Sequence, residues 1–355
     1  MNRIEKFLEI AEKENFKAAL VTSEANKYYF TGTQTPEAGT LIILPSGAYY
    51  IVDSRYIEVA QNNITSAKVI LQDKLYSQVN EILKENGADE VWVEDSLTIG
   101  ELNGLKKCLS ANIITDSPLT AIVAKQRSIK DEKEQEYIRT AQKLTDEAFK
   151  FICTQLAPGK REIDMALDLE NFMKRNGATG LAFNTILISG AKTSMPHGVP
   201  GDKIIETGDF ITMDYSASYK GYCSDMTRTV AIGKVSDEMK YVYDTVLQSQ
   251  LLALDGIKAG VKCCDVDKIA RDYIYSHGFE GCFGHSLGHS YGIEIHERPF
   301  FAPSDSTILE EGVMITIEPG IYLPGKFGVR IEDTVRVTAD GCVNLTKSPK
   351  ELIIL

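Results

Sequence analysis

The rhythm of apolar and polar positions changes near residue 130, and that change divides the chain. Upstream, after an amphipathic opening helix (MNRIEKFLEIAEKENF), short β-rich runs alternate with helical stretches. AALVTS at 18–23 and KYYFTG at 27–32 predict strands, and TLIILPSGAYYIVD at 40–53 predicts a hairpin joined at Pro45-Ser46-Gly47. AKVILQ at 67–72 and EVWVED at 90–95 predict further strands, with helices around 75–86 and 100–109. Downstream, SIKDEKEQEYIRTAQKLTDEAFKFICTQL sets Ile138, Ala141, Leu144, Ala148 and Ile152 on one helical face. Ser128 followed by Asp131 reads as its capping box. The expected organisation is an α/β unit over 1–123 and a second domain over 124–355, α+β overall.

The second domain carries a faint internal repeat. Gly159, Asp164 and Gly177 bracket one helical segment, and Gly260, Asp265 and Gly278 bracket another, 101 residues on (260 against 159). Each Asp suits a helix N-terminus and each final Gly a helix stop. Each segment leads to a histidine-bearing stretch, and a predicted hairpin follows. In DFITMDYSASYKGYCSDMTRTVAI, a turn at Tyr219-Lys220-Gly221 sets positions summing to 439 opposite one another, so Asp214 faces Asp225. In VMITIEP and GVRIEDTVRV, Glu318 and Glu332 flank a loop at 323–327 whose midpoint is 325.

Carboxylates gathered on apolar strands repel one another unless a cation lies among them. For a single strand Asp, a solvent-facing side chain is the better reading. Four in matched hairpins are another matter, because GHSLGHSYGIEIHE adds His285, His289 and His296, three of the five histidines in the chain. Carboxylates with an imidazole make an oxygen-rich donor set, suited to a pair of Mn²⁺ or Co²⁺ ions more than to a structural Zn²⁺ site, which favours thiolates. Paired ions of that kind activate water and polarise a carbonyl.

Bulk composition narrows the field. With 355 residues, 43% hydrophobic, the chain has enough apolar mass for two cores. A formal net charge of −12 argues against nucleic acid and anionic membranes as partners. No run approaches the roughly 18 apolar residues of a membrane span. Seven cysteines without a C-x-x-C pair predict a reducing compartment and a cytoplasmic location, with Cys263 and Cys264 as packing residues.

PHG at 196–198, MDYSASYKGYCSDMTRT, FGHSLGHSYGIEIHE, ITIEPGIY and VRIED occur in one order over 196–333. On these motifs the second domain resembles the pita-bread metallopeptidases, in the aminopeptidase P and prolidase (Xaa-Pro peptidase) branch. The first resembles the creatinase-type domain that precedes it there. The resemblance implies Asp214 chelating one ion, Asp225 and Glu332 bridging two, and His289 and Glu318 completing the second. It implies two divalent ions, Mn²⁺ first, with Co²⁺ or Zn²⁺ as alternatives. His197, His285 and His296 fall at substrate-side positions near the scissile carbonyl, Arg330 at a supporting position, and Glu318 at that of a proton shuttle. The implied substrate is a peptide with proline second, and the implied assembly a homodimer.

Three features depart from the family pattern: Asp214-Tyr215-Ser216, the serines at 286 and 290 with Tyr291, and HERPFF. In HERPFF, Phe300 and Phe301 occupy the region where many prolidases carry an arginine suited to a dipeptide's carboxylate. That tilts the expectation towards an Xaa-Pro aminopeptidase, with the dipeptidase as alternative. A creatinase-like hydrolase and an inactive binding module are weaker readings, since both predict eroded ligands. His277 is expected to serve a helix end, and Asp53, Arg55 and Tyr56 a surface turn. Arg228 is balanced between a structural and a substrate role. Tyr291 and Tyr322 are expected in the pocket wall or core.

Overall fold

The computed structural model describes residues 2–355, which form two compact units dividing between Arg127 and Ser128. The first runs α1 (Arg3–Ala11), β1 (Ala19–Val21), α2 (Glu24–Thr31), β2 (Thr40–Leu44), β3 (Gly47–Val52), α3 (Ile57–Asn63), β4 (Lys68–Leu71), α4 (Leu75–Glu85), β5 (Glu90–Val93), α5 (Ile99–Cys108), β6 (Asn112–Ile114) and α6 (Leu119–Ser128). Its six strands form one mixed sheet ordered β4-β3-β2-β1-β5-β6. The expected hairpin is β2–β3, closed by Pro45-Ser46 with Leu44 opposite Gly47. KYYFTG is not a strand but the body of α2. The Glu94 carboxylate accepts the N–H groups of Thr22 (2.6 Å) and Ser23 (2.8 Å) at the helix start, and Gly32, at φ 68°, closes its end. Local capping and burial of Tyr29 and Phe30 thus override the strand preference of the aromatics.

The second unit runs α7 (Glu132–Cys153), α8 (Glu162–Arg175), β7 (Gly180–Leu181), β8 (Ile186–Ser189), β9 (Phe210–Tyr215), β10 (Ala217–Tyr219), β11 (Tyr222–Cys223), β12 (Met226–Ala231), α9 (Asp237–Asp255) and α10 (Cys263–Ser276). It continues with β13 (Gly288–Ser290), β14 (Glu297–Phe301), β15 (Met314–Ile317), β16 (Gly320–Leu323), β17 (Phe327–Arg330), β18 (Asp333–Val337) and β19 (Cys342–Asn344). The predicted face of α7 is buried throughout. Its cap is Asp131 with Glu134, not Ser128 with Asp131, because Ser128 ends α6. The repeat is visible in topology: β12-β9-β8 on one side is matched by β18-β15-β13 on the other. Helices α7 and α8 bury Phe149, Leu169 and Met173 with Leu187, Ile211 and Met213. Helices α9 and α10 bury Val246, Val266 and Ile274 with Ile315, Ile317 and Val335. Gly177 and Gly278 follow α8 and α10 at φ 109° and 89°, while Asp164 and Asp265 lie in their first turns rather than capping them.

One register differs from expectation. In β9–β12, opposed positions sum to 441, since Thr227 faces Asp214 and Met226 faces Tyr215. The turn is Lys220-Gly221, both at positive φ (47° and 73°), a two-residue type I′ connection. Asp225 is therefore diagonal to Asp214, two residues from its direct partner, but on the same face because side chains alternate with period two. In the second hairpin every pair from Met314–Arg336 to Leu323–Phe327 sums to 650. That register sets Glu318 against Glu332 where the ladder is interrupted, as the spacing predicts. Among the described residues no helix is long and apolar enough to cross a membrane.

Candidate metal centre

Asp214, Asp225, His289, Glu318 and Glu332 line one cavity of about 500 Å³, together with His197, His285, His296 and Arg330. Ligand-capable atoms of Asp225, His289 and Glu332 all lie within 4.8 Å of one another. Asp214 reaches the cavity from β9, Asp225 from the break before β12, and His289 from β13. Glu318 and Glu332 come from the two sides of the interrupted second hairpin. The strands can approach this closely only because residue 288 is glycine: a Cβ there would sit 1.9 Å from the Thr316 carbonyl oxygen.

Threonines orient the acids. Thr227 Oγ1 donates to Glu332 Oε2 at 2.8 Å, and Thr316 Oγ1 donates to Glu318 Oε1 at 3.3 Å. Each lies two residues along a strand from a carboxylate, a period-two spacing visible in the sequence. Arg330 uses all its nitrogens inside the protein: Nε donates to Thr227 Oγ1, Nη1 to Tyr322 Oη and the Pro196 carbonyl, Nη2 to Asp214 Oδ2 at 2.7 Å. It is thus a positioning residue for Asp214. The other oxygen, Asp214 Oδ1, is buried without a hydrogen-bond partner.

The imidazole tautomers follow from their partners. His289 Nδ1 donates to the Ser290 carbonyl (3.2 Å), which turns Nε2 towards Glu318 Oε1 (3.3 Å) and Asp225 Oδ2 (3.6 Å). His285 Nδ1 donates to the Ser286 carbonyl, so its Nε2 accepts from Tyr322 Oη at 2.8 Å. His285 thus joins the Arg330–Tyr322 network. Burial, reinforced by the Arg330 charge and opposed by that of Glu318, pushes its pKa down. His197 and His296 are solvent-facing on the cavity wall.

Electrostatics test whether a cation fits. Burial, and then the charge of its acidic neighbours, raises the carboxyls of Asp225 and Glu332 well above the usual range. Burial also raises Asp214, with Arg330 opposing. Burial alone would raise Glu318 and lower His289. Their mutual hydrogen bond and charge reverse both, to about 2 for Glu318 and about 9 for His289. Without a metal, a proton on His289 is what reconciles this site. An orphaned Asp oxygen, crowded carboxylates and a histidine nitrogen aimed among them together form a donor set that fits divalent cations.

The remaining sequence candidates lie elsewhere. His277 caps α10, its Nδ1 2.8 Å from the Tyr273 carbonyl. Arg228 is buried, donating to Asp333 Oδ1 (2.7 Å) and to the carbonyls of Glu332, Ser348 and Pro349, so its role is structural. Tyr291 is wholly buried. Asp53 and Arg55 pair with each other on the first unit's surface.

A duplicated pita-bread unit with this cluster defines a metal-dependent hydrolase of the peptidase type. Residues 136–339 match Metallopeptidase family M24, and residues 3–129 match the Creatinase/Prolidase N-terminal domain. The chain is 37% identical to an Xaa-Pro dipeptidase of Pyrococcus horikoshii, covering 99% of this chain and 98% of that one. A solved Xaa-Pro dipeptidase from Bacillus anthracis superposes with a TM-score of 0.95 at 41% identity, covering 99% of each chain. An X-Pro aminopeptidase from Thermotoga maritima gives 0.93 at 33% identity, covering 100% of each. The chain belongs to the M24 metallopeptidases.

Proposed function

We propose that this metallopeptidase hydrolyses the Xaa-Pro bond next to a free amino terminus, with Xaa-Pro dipeptides as its leading substrates. The observation that carries the hydrolytic reading is the convergence of four carboxylates and His289 at one cavity whose wall holds His197 and His296. The dipeptide preference is supported by the relatives from P. horikoshii and B. anthracis.

In this reading Asp214, Asp225, His289, Glu318 and Glu332 would hold two divalent ions, with Mn²⁺ the first ion to test. Such ions supply Lewis acidity and lower the pKa of a water. Glu318 takes a proton from the attacking water on a carboxylate oxygen and delivers it to the proline nitrogen. His197 and His296 donate to the scissile carbonyl oxygen as negative charge develops there. Arg330 keeps Asp214 Oδ1 turned inward, and Tyr322 passes that constraint to His285.

A second reading, an Xaa-Pro aminopeptidase acting on longer peptides, is favoured by the cavity wall. Phe300 lines it, the Arg298 guanidinium lies 5.8 Å from the Phe300 ring centroid, and Arg330 is fully engaged. An apolar wall favours a continuing peptide over a terminal carboxylate. Assay with Mn²⁺ on an Xaa-Pro dipeptide and on a longer peptide with proline second separates the two. Cleavage of the dipeptide alone supports the dipeptidase, preference for the longer peptide the aminopeptidase, and inactivity on both overturns the proposal.

A further inference from the structure

His296 reaches the cavity on a loop between Tyr291 and Glu297 that folds around one buried carboxylate. Glu297 Oε1 accepts the backbone N–H groups of Ile293 (3.0 Å) and Glu294 (3.1 Å). Glu297 Oε2 accepts from Lys130 Nζ at 2.9 Å, and the two side chains are only 6% and 1% exposed. Gly292 packs against both: a Cβ there would lie 2.8 Å from Lys130 Cε and 3.0 Å from Glu297 Oε1. On its other side the loop is tied to the first hairpin, because the Gly292 carbonyl accepts the Cys223 N–H at 2.8 Å. The His296 ring then meets the His289 ring edge-on, with centroids 4.4 Å apart.

The strand ladder does not set this loop by itself. His289 opposes Phe300, but Ser290 opposes Glu297, so Arg298 and Pro299 bulge out of register beside the loop. Lys130 offers a firm anchor. Its carbonyl accepts from Gln135 Nε2 at 2.9 Å, and the next residue, Asp131, caps α7. Ion pairs this deeply buried gain little net stability over apolar packing, because desolvation offsets their attraction. What they supply is a fixed geometry for the groups that they hold.

We infer that Lys130 and Glu297 form a positioning pair whose task is to set the His296 ring against His289 on the substrate side of the cavity. The inference rests on the Xaa-Pro peptidase reading for its kinetic consequence, but not for its structural one. A ring held this way is displaced when the pair is broken, and a displacement of the order of 1 Å lowers kcat by roughly tenfold to a hundredfold. Metal content is unchanged, since neither residue faces the cluster.

The test is a double-mutant cycle with a spectroscopic arm. Lys130→Met, Gly292→Ala and the charge-neutral double variant Lys130→Met/Glu297→Gln are each made alone and with His296→Ala. Metal content and histidine-labelled NMR spectra are recorded beside kcat and KM. The expected result is a fall in kcat of at least about tenfold in the His296 background and less than about twofold with His296→Ala, as for two residues acting through one group. Lys130→Arg restores part of the activity. The His296 ring signals, assigned from His296→Ala, move in the Lys130 and Gly292 variants while those of His277 do not. Equal losses in both backgrounds, or unmoved His296 signals, would overturn the inference. If Lys130→Met fails to fold, Gly292→Ala is read by the same criteria. A wild-type protein inactive on every Xaa-Pro peptide would overturn the functional reading, and the NMR arm would still judge the pair.

Discussion

Arg330 grips Asp214 by a single oxygen, Nη2 to Oδ2 at 2.7 Å, and leaves Oδ1 buried without a partner. A carboxylate so held cannot rotate to satisfy both oxygens within the protein. The spare oxygen is therefore the one available to an ion. Replacing Arg330 with Lys keeps the charge but loses the fork that also reaches Thr227 and Tyr322. Arg330→Lys is expected to weaken metal binding by about 10- to 100-fold and to lower kcat with it. A competitive chelator titration checks this, and unchanged affinity would show that Asp214 is oriented by something else.

Glu318 and His277 form a contrasting pair of tests. Glu318→Gln preserves volume while removing both charge and proton acceptor, and turnover should fall by about 10²- to 10⁴-fold. His277→Ala removes a ring that serves only the end of α10, so kcat/KM should stay within about twofold and stability within about 1 kcal/mol. Comparable losses in the two variants would show that His277 serves turnover and not only the end of α10.

Where the sequence was legible, a strong period or a symmetric spacing carried the signal. Glu318 and Glu332 could be paired by position because the second hairpin keeps one register across its interruption. The first hairpin was placed two positions off, since a turn on Lys220-Gly221 differs little in sequence from one on Tyr219-Lys220. Period two still kept Asp214 and Asp225 on one face. KYYFTG misled because its aromatics favour strands, whereas the helix start is made by Glu94, 71 positions on from Ser23 at the end of β5, and nothing local announces it. Lys130 was hidden for a similar reason. It opens the run KDEKEQE, which reads as a solvated helix face, and only the tertiary fold buries it against Glu297.

Close approach at Gly288 gives a stability test independent of chemistry. An added methyl would stand 1.9 Å from the Thr316 carbonyl oxygen, and backbone, unlike a flexible side chain, yields little. Gly288→Ala is expected to cost about 1–3 kcal/mol or more, read as a lowered Tm. Because β13 carries His289, metal binding should weaken too. A variant with wild-type Tm would indicate that β13 and β15 can separate freely.

The last prediction concerns pH, and its sign follows from the cluster. In the metal-free chain the Asp225 and Glu332 carboxyls stand well above the usual range, through burial first and neighbouring charge second. His289 is raised to about 9 by Glu318, against its burial. All three bind protons more tightly folded than unfolded. Their contribution to stability is therefore full below the unfolded values and declines as pH rises from about 4 for the acids and about 6.5 for His289. Glu318, held at about 2, contributes in the opposite sense, but only loses its stabilisation below pH 4. Metal-free protein should thus lose Tm steadily between pH 5.5 and 8.5. A divalent ion held by these residues would take the place of those protons, so its binding is expected to release protons and to strengthen with pH. The rise in Tm on adding Mn²⁺ is expected to be small at pH 5.5 and large at pH 8.5. Thermal melts in chelator and in Mn²⁺ at both pH values check it, and a stabilisation that is the same at both would mean that the ion does not displace protons from this cluster.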